Sequence, residues 1–182
     1  YNGLTFAETF GDMAFTLYSH AVSLRDLGCT QSPMNAWITL NGVETLPLRM
    51  ERHVENAQKV AGFLQQHPSV EWVSYAGLSS SPYYQLAQKY LQGKAGSVFT
   101  FGIRGGYESG LRLLEKVELF SHVSNIGDSR SLILHPASTT HRQLSDEQRL
   151  TAGAGPEVIR LSVGIESAED LIADLEQALE GL

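Results

Sequence analysis

The stretch Val158-Ile159-Arg160-Leu161-Ser162-Val163-Gly164-Ile165 alternates apolar residues with a second set that contains a single charge. Every second residue from Ile159 to Ile165 is apolar, and this period of two is typical of a β-strand with one face in a core. The other face presents Arg160 among mostly small neighbours, so a flat ligand group can approach its guanidinium. A guanidinium binds a carboxylate or phosphate through two parallel hydrogen bonds. The strand alone also allows an ion pair with a local carboxylate such as Glu157 or Glu166, and it favours that interpretation because such pairs are common.

The composition is that of an ordinary globular protein. The 182 residues are 42% hydrophobic and 18% charged, and their number suits one domain or a little more. A formal net charge of -7 argues against nucleic acid and anionic membranes as main partners. No apolar run is long enough to cross a bilayer and no signal-peptide pattern opens the chain, so the cytoplasm is the predicted location. The single cysteine excludes an internal disulfide framework.

Helical spacing and alternation predict the other elements. An amphipathic helix is expected within residues 1–27, ended by Gly28, and a long helix is expected from Ser32-Pro33, interrupted near Thr45 by Pro47. Further helices are predicted over 83–91, 107–117, from Ser145 and from Ser167, and strands over 70–75, 97–103, 119–126, 131–135 and 158–165.

This order of elements predicts a small α/β domain of the α+β kind, with a mostly antiparallel sheet and helices packed on one side. The one internal boundary that we expect separates residues 1–28 from residues 29–182.

Two polar segments are candidates for ligand sites. His135 and His141 flank a loop, but neither belongs to a two-histidine helical motif and no acidic residue stands at a ligand spacing, so no metal site is predicted. The segment Ser124-Asn125-Ile126-Gly127-Asp128 places short polar groups at the end of a predicted strand. Such a segment can meet a ligand and is equally typical of a plain turn.

Three segments in this order resemble a known family. They are Val123-Ser124-Asn125-Ile126-Gly127-Asp128, Leu134-His135-Pro136-Ala137-Ser138-Thr139-Thr140-His141 and Ile159-Arg160-Leu161-Ser162-Val163-Gly164-Ile165-Glu166. Together they are similar to the carboxy-terminal domain of the Cys/Met-metabolism family of pyridoxal-phosphate enzymes. The run Gly42-Val43-Glu44-Thr45-Leu46-Pro47-Leu48-Arg49-Met50-Glu51-Arg52-His53 is most similar to the O-acetylhomoserine sulfhydrylase branch, which makes homocysteine and acetate from O-acetyl-L-homoserine and sulfide in methionine biosynthesis.

The resemblance covers essentially the whole chain and implies the carboxy-terminal domain of a fold type I pyridoxal-phosphate-dependent transferase. Residues 1–28 then form the remnant of a link to a preceding cofactor-binding domain, and residues 29–182 form the domain that closes on the substrate. A small-molecule substrate, that preceding domain and a homotetramer are the implied partners.

The resemblance also implies roles for single residues. Arg160 is expected to hold the α-carboxylate of the substrate. The resemblance therefore favours substrate binding over a local ion pair at this residue. Ser124 is expected beside the same site, where it helps to position the carboxylate, and Asn125 next to it is a further substrate-binding candidate. The loop from His135 to His141 is expected to border the cleft.

One feature of the family is missing from this sequence. The family binds pyridoxal phosphate through a lysine in a serine- and threonine-rich context. The four lysines of this chain have helical or turn contexts unlike that motif; they are Lys59, Lys89, Lys94 and Lys116. The Schiff-base lysine is therefore absent, and neither a catalytic residue nor a cofactor-binding residue is predicted here. The chain alone is therefore expected to be inactive.

Other functions remain open at this point. Cystathionine γ-synthase and methionine γ-lyase are alternatives within the same family. A non-catalytic assembly or small-molecule-binding domain, which keeps the fold without the chemistry, is the alternative from a different class, and the missing lysine motif favours it.

Overall fold

The computed structural model describes all 182 residues and divides them into two compact units, Tyr1–Thr45 and Leu46–Leu182. We refer to them as the amino-terminal unit and the main unit. The division follows Thr45 rather than Gly28, so the compact part of the chain begins later than the predicted boundary. The assignment of residues 1–28 as a link to a preceding domain stays a prediction.

The amino-terminal unit is helical, and its helix ends are set by local chemistry. Gly28 ends the first helical stretch in the left-handed conformation, with φ of 65°. Ser32 begins the next helix by accepting a hydrogen bond from the backbone N–H of Asn35 at 3.2 Å, with Pro33 in the first helical position. Both ends agree with the sequence-based prediction. The helices are α1 (Phe6–Phe10), α2 (Ala14–Tyr18), α3 (Arg25–Leu27) and α4 (Pro33–Glu44), with a 3-10 turn at Gly11–Met13 and a π-helical segment at Ser19–Leu24.

The main unit combines helices with one sheet. Its helices are α5 (Leu46–Gln66), α6 (Tyr84–Leu91), α7 (Gly106–Lys116), α8 (Asp146–Thr151) and α9 (Ala168–Leu179), and its strands are β1 (Val70–Ser74), β2 (Val98–Ile103), β3 (Leu132–Leu134) and β4 (Val158–Ser162). No helix of the structure is both long enough and apolar enough to span a bilayer.

The four strands form an antiparallel sheet in the order β1-β2-β4-β3. Strand β4 therefore lies between β2 and β3, and Arg160 at its centre is paired with Thr100 on one side and Leu134 on the other. The predicted fold class, a small domain with a mostly antiparallel sheet, is confirmed.

One face of the sheet forms the core. Ile159, Leu161 and Val163 are fully buried on this face, as the alternation predicted. Helices α5, α7 and α9 pack against it and supply the other half of the core; the members from β2 and these helices include Phe99, Phe101, Ile103, Ala57, Val60, Ala61, Leu64, Leu113, Leu171, Leu175, Ala178 and Leu179. Arg160 lies on the opposite face, outside this core.

The predicted strand over residues 119–126 is wrong. This segment makes one isolated bridge, between Ser121 and Leu132, and no ladder. The backbone N–H groups of Leu119 and Phe120 are bound instead by the carboxylate of Asp174 on α9, at 2.9 and 3.2 Å. Because a side chain satisfies these two donors, the start of the segment does not need a neighbouring strand.

Candidate functional site

Arg160 is half-buried in the middle of the sheet and points away from the core. Its guanidinium donates a hydrogen bond from Nη2 to the backbone carbonyl of Ser124, at 2.6 Å. The local ion pairs with Glu157 or Glu166 are not formed, since no carboxylate lies within 4.0 Å of the guanidinium. One N–H of the fork is used by Ser124, and the other donors remain for a ligand.

Ser124 and Asn125 belong to a loop that we call the Ser121–Ser131 loop. Its two ends are joined by a hydrogen bond from the backbone N–H of Ser121 to the carbonyl of Ser131, at 3.0 Å, which is the arrangement of an Ω-loop. Ser124 and Asn125 are both exposed. The structure thus brings Ser124 to Arg160 through its backbone carbonyl, with the exposed side chain of Asn125 following in the chain.

The Ser121–Ser131 loop lies along the non-core face of β4. The backbone N–H of Gly127 donates to Oγ of Ser162 at 3.3 Å. Further along, the N–H of Ile165 donates to the carbonyl of Ser129 at 2.9 Å. Ser162 and Gly164, two of the small neighbours of Arg160, are buried. The loop itself fills the space beside them, and the open position on this face is at Arg160.

His135 is a buried residue at the end of β3. Its Nε2 lies 2.9 Å from the carbonyl of Pro156 and its Nδ1 lies 2.9 Å from Oγ of Ser138. Because a carbonyl only accepts, Nε2 must bear the hydrogen, and Nδ1 accepts from the Ser138 hydroxyl. Burial lowers the pKa of His135 below its ordinary value, so the neutral ring is favoured. No group of three or more His, Cys, Asp or Glu side chains is arranged to hold a metal ion.

The lysines all have partners on the surface of the main unit. Lys59 pairs with Glu55 at 3.0 Å, Lys94 pairs with Glu51 at 3.3 Å, Lys116 donates to the carbonyl of Glu180 at 2.6 Å, and Lys89 lies 5.0 Å from the ring centre of Tyr90. None of these amines is bonded to Arg160 or to the Ser121–Ser131 loop.

Comparison with known proteins assigns the chain to a family. The model of the family described as Cys/Met metabolism PLP-dependent enzyme matches residues 7–180. The chain belongs to this family. The predicted resemblance is thereby confirmed.

Several relatives are similar over nearly the whole chain. The O-acetyl-L-homoserine sulfhydrylase 1 of Thermus thermophilus is 50% identical over 98% of this chain and 42% of its own length. The O-acetyl-L-homoserine sulfhydrylase of Leptospira meyeri is 50% identical over 100% of this chain and 43% of its own length. The chain therefore spans about two fifths of the length of the curated relatives it matches.

A solved structure shares the fold. It is the crystal structure of a putative O-acetylhomoserine (thiol)-lyase from Campylobacter jejuni with N'-pyridoxyl-lysine-5'-monophosphate. The TM-score is 0.83 at 46% identity, and the match covers 92% of this chain and 40% of that one.

The residues of this chain do not by themselves fit a pyridoxal phosphate site. Every lysine amine has a partner on the surface of the main unit, and Arg160 is the charged side chain at the non-core centre of the sheet. Covalent attachment of the cofactor needs an amine that faces the site. What the arrangement offers is a guanidinium with free donors beside a loop, and a guanidinium of this kind can bind an anion.

Proposed function

We propose that this chain is the carboxy-terminal part of a pyridoxal-phosphate-dependent O-acetylhomoserine sulfhydrylase, which makes homocysteine and acetate from O-acetyl-L-homoserine and sulfide. Relatives named O-acetyl-L-homoserine sulfhydrylase or homocysteine synthase, 45% to 50% identical over almost all of the chain, support this proposal. The observation on which it rests is the guanidinium of Arg160, which has no carboxylate partner within the chain and is oriented by the carbonyl of Ser124.

In this proposal the chain holds the substrate, and the chemistry of bond breaking belongs to the cofactor on a preceding domain. Arg160 binds the α-carboxylate through two N–H groups, because a planar fork matches the two carboxylate oxygens. Its bond to Ser124 limits the rotation of the guanidinium. Ser124 and Asn125 line the substrate side of the Ser121–Ser131 loop and complete the binding site. The result is a fixed orientation of the substrate toward the cofactor.

The proposal includes a cytoplasmic homotetramer as the form of the complete protein. The amino-terminal unit supports a large partner surface, because Phe15, Leu27 and Trp37 are 81%, 76% and 62% exposed. Exposed apolar surface of this extent is typical of regions that are covered in an assembly. Size measurement by light scattering on the complete protein tests the assembly.

A first experiment separates the enzyme from a non-catalytic domain. The 182-residue chain mixed with pyridoxal phosphate should show no absorbance band beyond that of the free cofactor and no turnover, since it offers no amine at the site. The complete protein should release acetate from O-acetylhomoserine with sulfide. Parallel assays with cysteine as the thiol, and with methionine as sole substrate, distinguish the sulfhydrylase from cystathionine γ-synthase and methionine γ-lyase. Sulfhydrylase activity in the pure 182-residue chain would contradict the proposal.

A second experiment tests Arg160 in the complete protein. Arg160→Ala should lower kcat/KM, and the fall should correspond to a loss of about 2 to 5 kcal/mol of transition-state stabilisation, because the substrate carboxylate loses its partner. Arg160→Lys should mainly raise KM, since an ammonium keeps the charge and loses the two parallel hydrogen bonds.

Arg104→Ala is a matched control for these variants. Its guanidinium also donates to a backbone carbonyl, that of Pro68 at 2.8 Å, but it lies on the surface. Its kcat/KM should remain that of the wild type. A large fall in Tm for Arg160→Ala with kcat/KM almost unchanged would mean that Arg160 has a structural role instead.

A further inference from the structure

The Ser121–Ser131 loop is anchored at its far end by a carboxylate. Glu166, just beyond β4, accepts two hydrogen bonds from one residue: Oε1 from the backbone N–H of Ser131 at 2.6 Å and Oε2 from its hydroxyl at 2.9 Å. Ser131 is fully buried, and its Oγ also accepts from the N–H of Gly164 at 2.8 Å. Both the backbone and the side chain of Ser131 are therefore held in place.

These bonds are among the strongest contacts that hold the loop, together with the bond from the guanidinium of Arg160 to the carbonyl of Ser124. Hydrogen bonds to an ionised carboxylate are about twice as strong as bonds between neutral groups. A further side-chain contact, from the N–H of Gly127 to Oγ of Ser162, joins neutral groups at 3.3 Å. The loop is thus held by charge-assisted bonds at two points, at Ser131 by Glu166 and at Ser124 by Arg160.

Glu166 is itself fixed to the helical layer. Nδ2 of Asn56 on α5 donates to the carbonyl of Gly164 at 3.0 Å and to the carbonyl of Glu166 at 2.8 Å. Asn56 is fully buried, so its side chain holds the backbone of Gly164 and Glu166 in a fixed position. The contacts lead from α5 to Glu166, from Glu166 to the loop, and from the loop to the guanidinium of Arg160.

Gly164 makes the close approach of the loop possible. A β-carbon at this position would lie 2.6 Å from the carbonyl carbon of Arg130 and closer still to the carbonyl oxygen of Ser129. The loop backbone thus packs directly on the backbone of the segment that bears Glu166. Because the two backbones are in close contact, a shift of the Glu166 carboxylate should shift the loop as well.

We propose that Glu166 is a positioning residue for carboxylate binding at Arg160. Through Ser131 it holds the Ser121–Ser131 loop where the carbonyl of Ser124 orients the guanidinium. Glu166 does not touch the substrate. The inference rests on the proposed function of Arg160, and it assigns to Glu166 a role other than the ion pair with Arg160 that the sequence allowed.

The test uses the complete protein with its cofactor and the variant Glu166→Gln. A neutral amide keeps the size of the side chain and loses the charge-assisted bonds to Ser131. KM for O-acetylhomoserine should rise about 10-fold or more, with a smaller change in kcat, because a misplaced loop misorients the binding fork. Glu157→Gln is the control and should leave KM unchanged, because this carboxylate just before β4 accepts no hydrogen bond from the loop.

A double-mutant cycle separates positioning from a general loss of stability. If Glu166 acts through Arg160, then Glu166→Gln should raise KM in the wild-type background and have no further effect in Arg160→Ala. An equal rise in both backgrounds, or a lower Tm with KM unchanged, would overturn the inference while leaving the proposed function intact. If Arg160→Ala itself leaves KM unchanged, the proposed function fails first and the inference fails with it. Should Glu166→Gln not fold, Ser131→Ala removes the hydroxyl, with its bonds to Oε2 of Glu166 and to the N–H of Gly164, keeps the backbone bond to Oε1 and carries the same expectations.

Discussion

The two units of the molecule form helices equally well and differ in what their apolar side chains contact. In the main unit, apolar residues from β2, β4 and three helices are fully buried in one core. In the amino-terminal unit no residue is buried, and α4 exposes Met34, Trp37 and Leu40 by about 60% each. The comparison shows that caps and breakers can specify where helices begin and end without any core. Burial, and the stability that comes with it, has to be supplied separately.

The largest expected difference between the units is in hydrogen exchange. Amides of β2 and β4 in the 182-residue chain should exchange more than about 1000-fold more slowly than those of α4, because core strands open only with global unfolding and uncovered helices open locally. Exchange followed by NMR or mass spectrometry on a monomer measures this. Protection in α4 equal to that in β4 would remove the distinction between the two units.

Truncating one phenylalanine in each unit tests the same difference energetically. Phe101→Ala removes a ring with no exposed surface and should lower the free energy of unfolding by about 3 to 5 kcal/mol. Phe15→Ala, at a position 81% exposed, should change it by less than about 0.5 kcal/mol. Denaturant unfolding of both variants provides the comparison. Similar losses at the two positions would show that Phe15 is packed in solution.

Smaller changes in the free energy of unfolding, of opposite sign to each other, are expected at two glycines of the main unit. Gly164→Ala should lower the free energy of unfolding by about 1 to 3 kcal/mol, because the new methyl group meets the loop backbone. Gly62→Ala lies within α5 with nothing near the new methyl group, and it should raise stability by about 0.5 to 1 kcal/mol. Thermal unfolding distinguishes the two. A neutral Gly164→Ala would mean that the loop is not packed on β4.

The smallest expected effect is the pH dependence due to His135. Burial lowers the pKa of this ring in the folded state, so the stabilisation by its neutral form is complete above the unfolded pKa of about 6.5 and is lost as the pH falls toward the lower folded value. The variant His135→Gln does not titrate. The difference in unfolding free energy between wild type and variant should therefore shrink as the pH falls below 6.5, and a constant difference would contradict the assignment.

Much of the fold was predictable because its signals are local. The capping box of α8 is formed as predicted, with Ser145 and Gln148 exchanging hydrogen bonds at 3.0 and 3.2 Å. The helix break near Thr45 follows from Pro47, and Ser167 caps α9. The segment over 119–126 was predicted wrongly, because its composition does not reveal that Asp174 on α9 binds the donors at its start.

In the candidate site, too, some features follow from the local sequence and others depend on tertiary contacts. The alternation around Arg160 determined that this side chain lies on the face opposite the core, because the side-chain period of a strand is two whatever surrounds it. Only the tertiary structure decided that the Ser121–Ser131 loop packs against Ser162 and Gly164, that Ser124 meets the guanidinium through its carbonyl, and that Glu166 binds Ser131. These contacts join residues more than thirty positions apart in the chain. Their partners are chosen by the packing of β4 and α5, which no local pattern of residues describes.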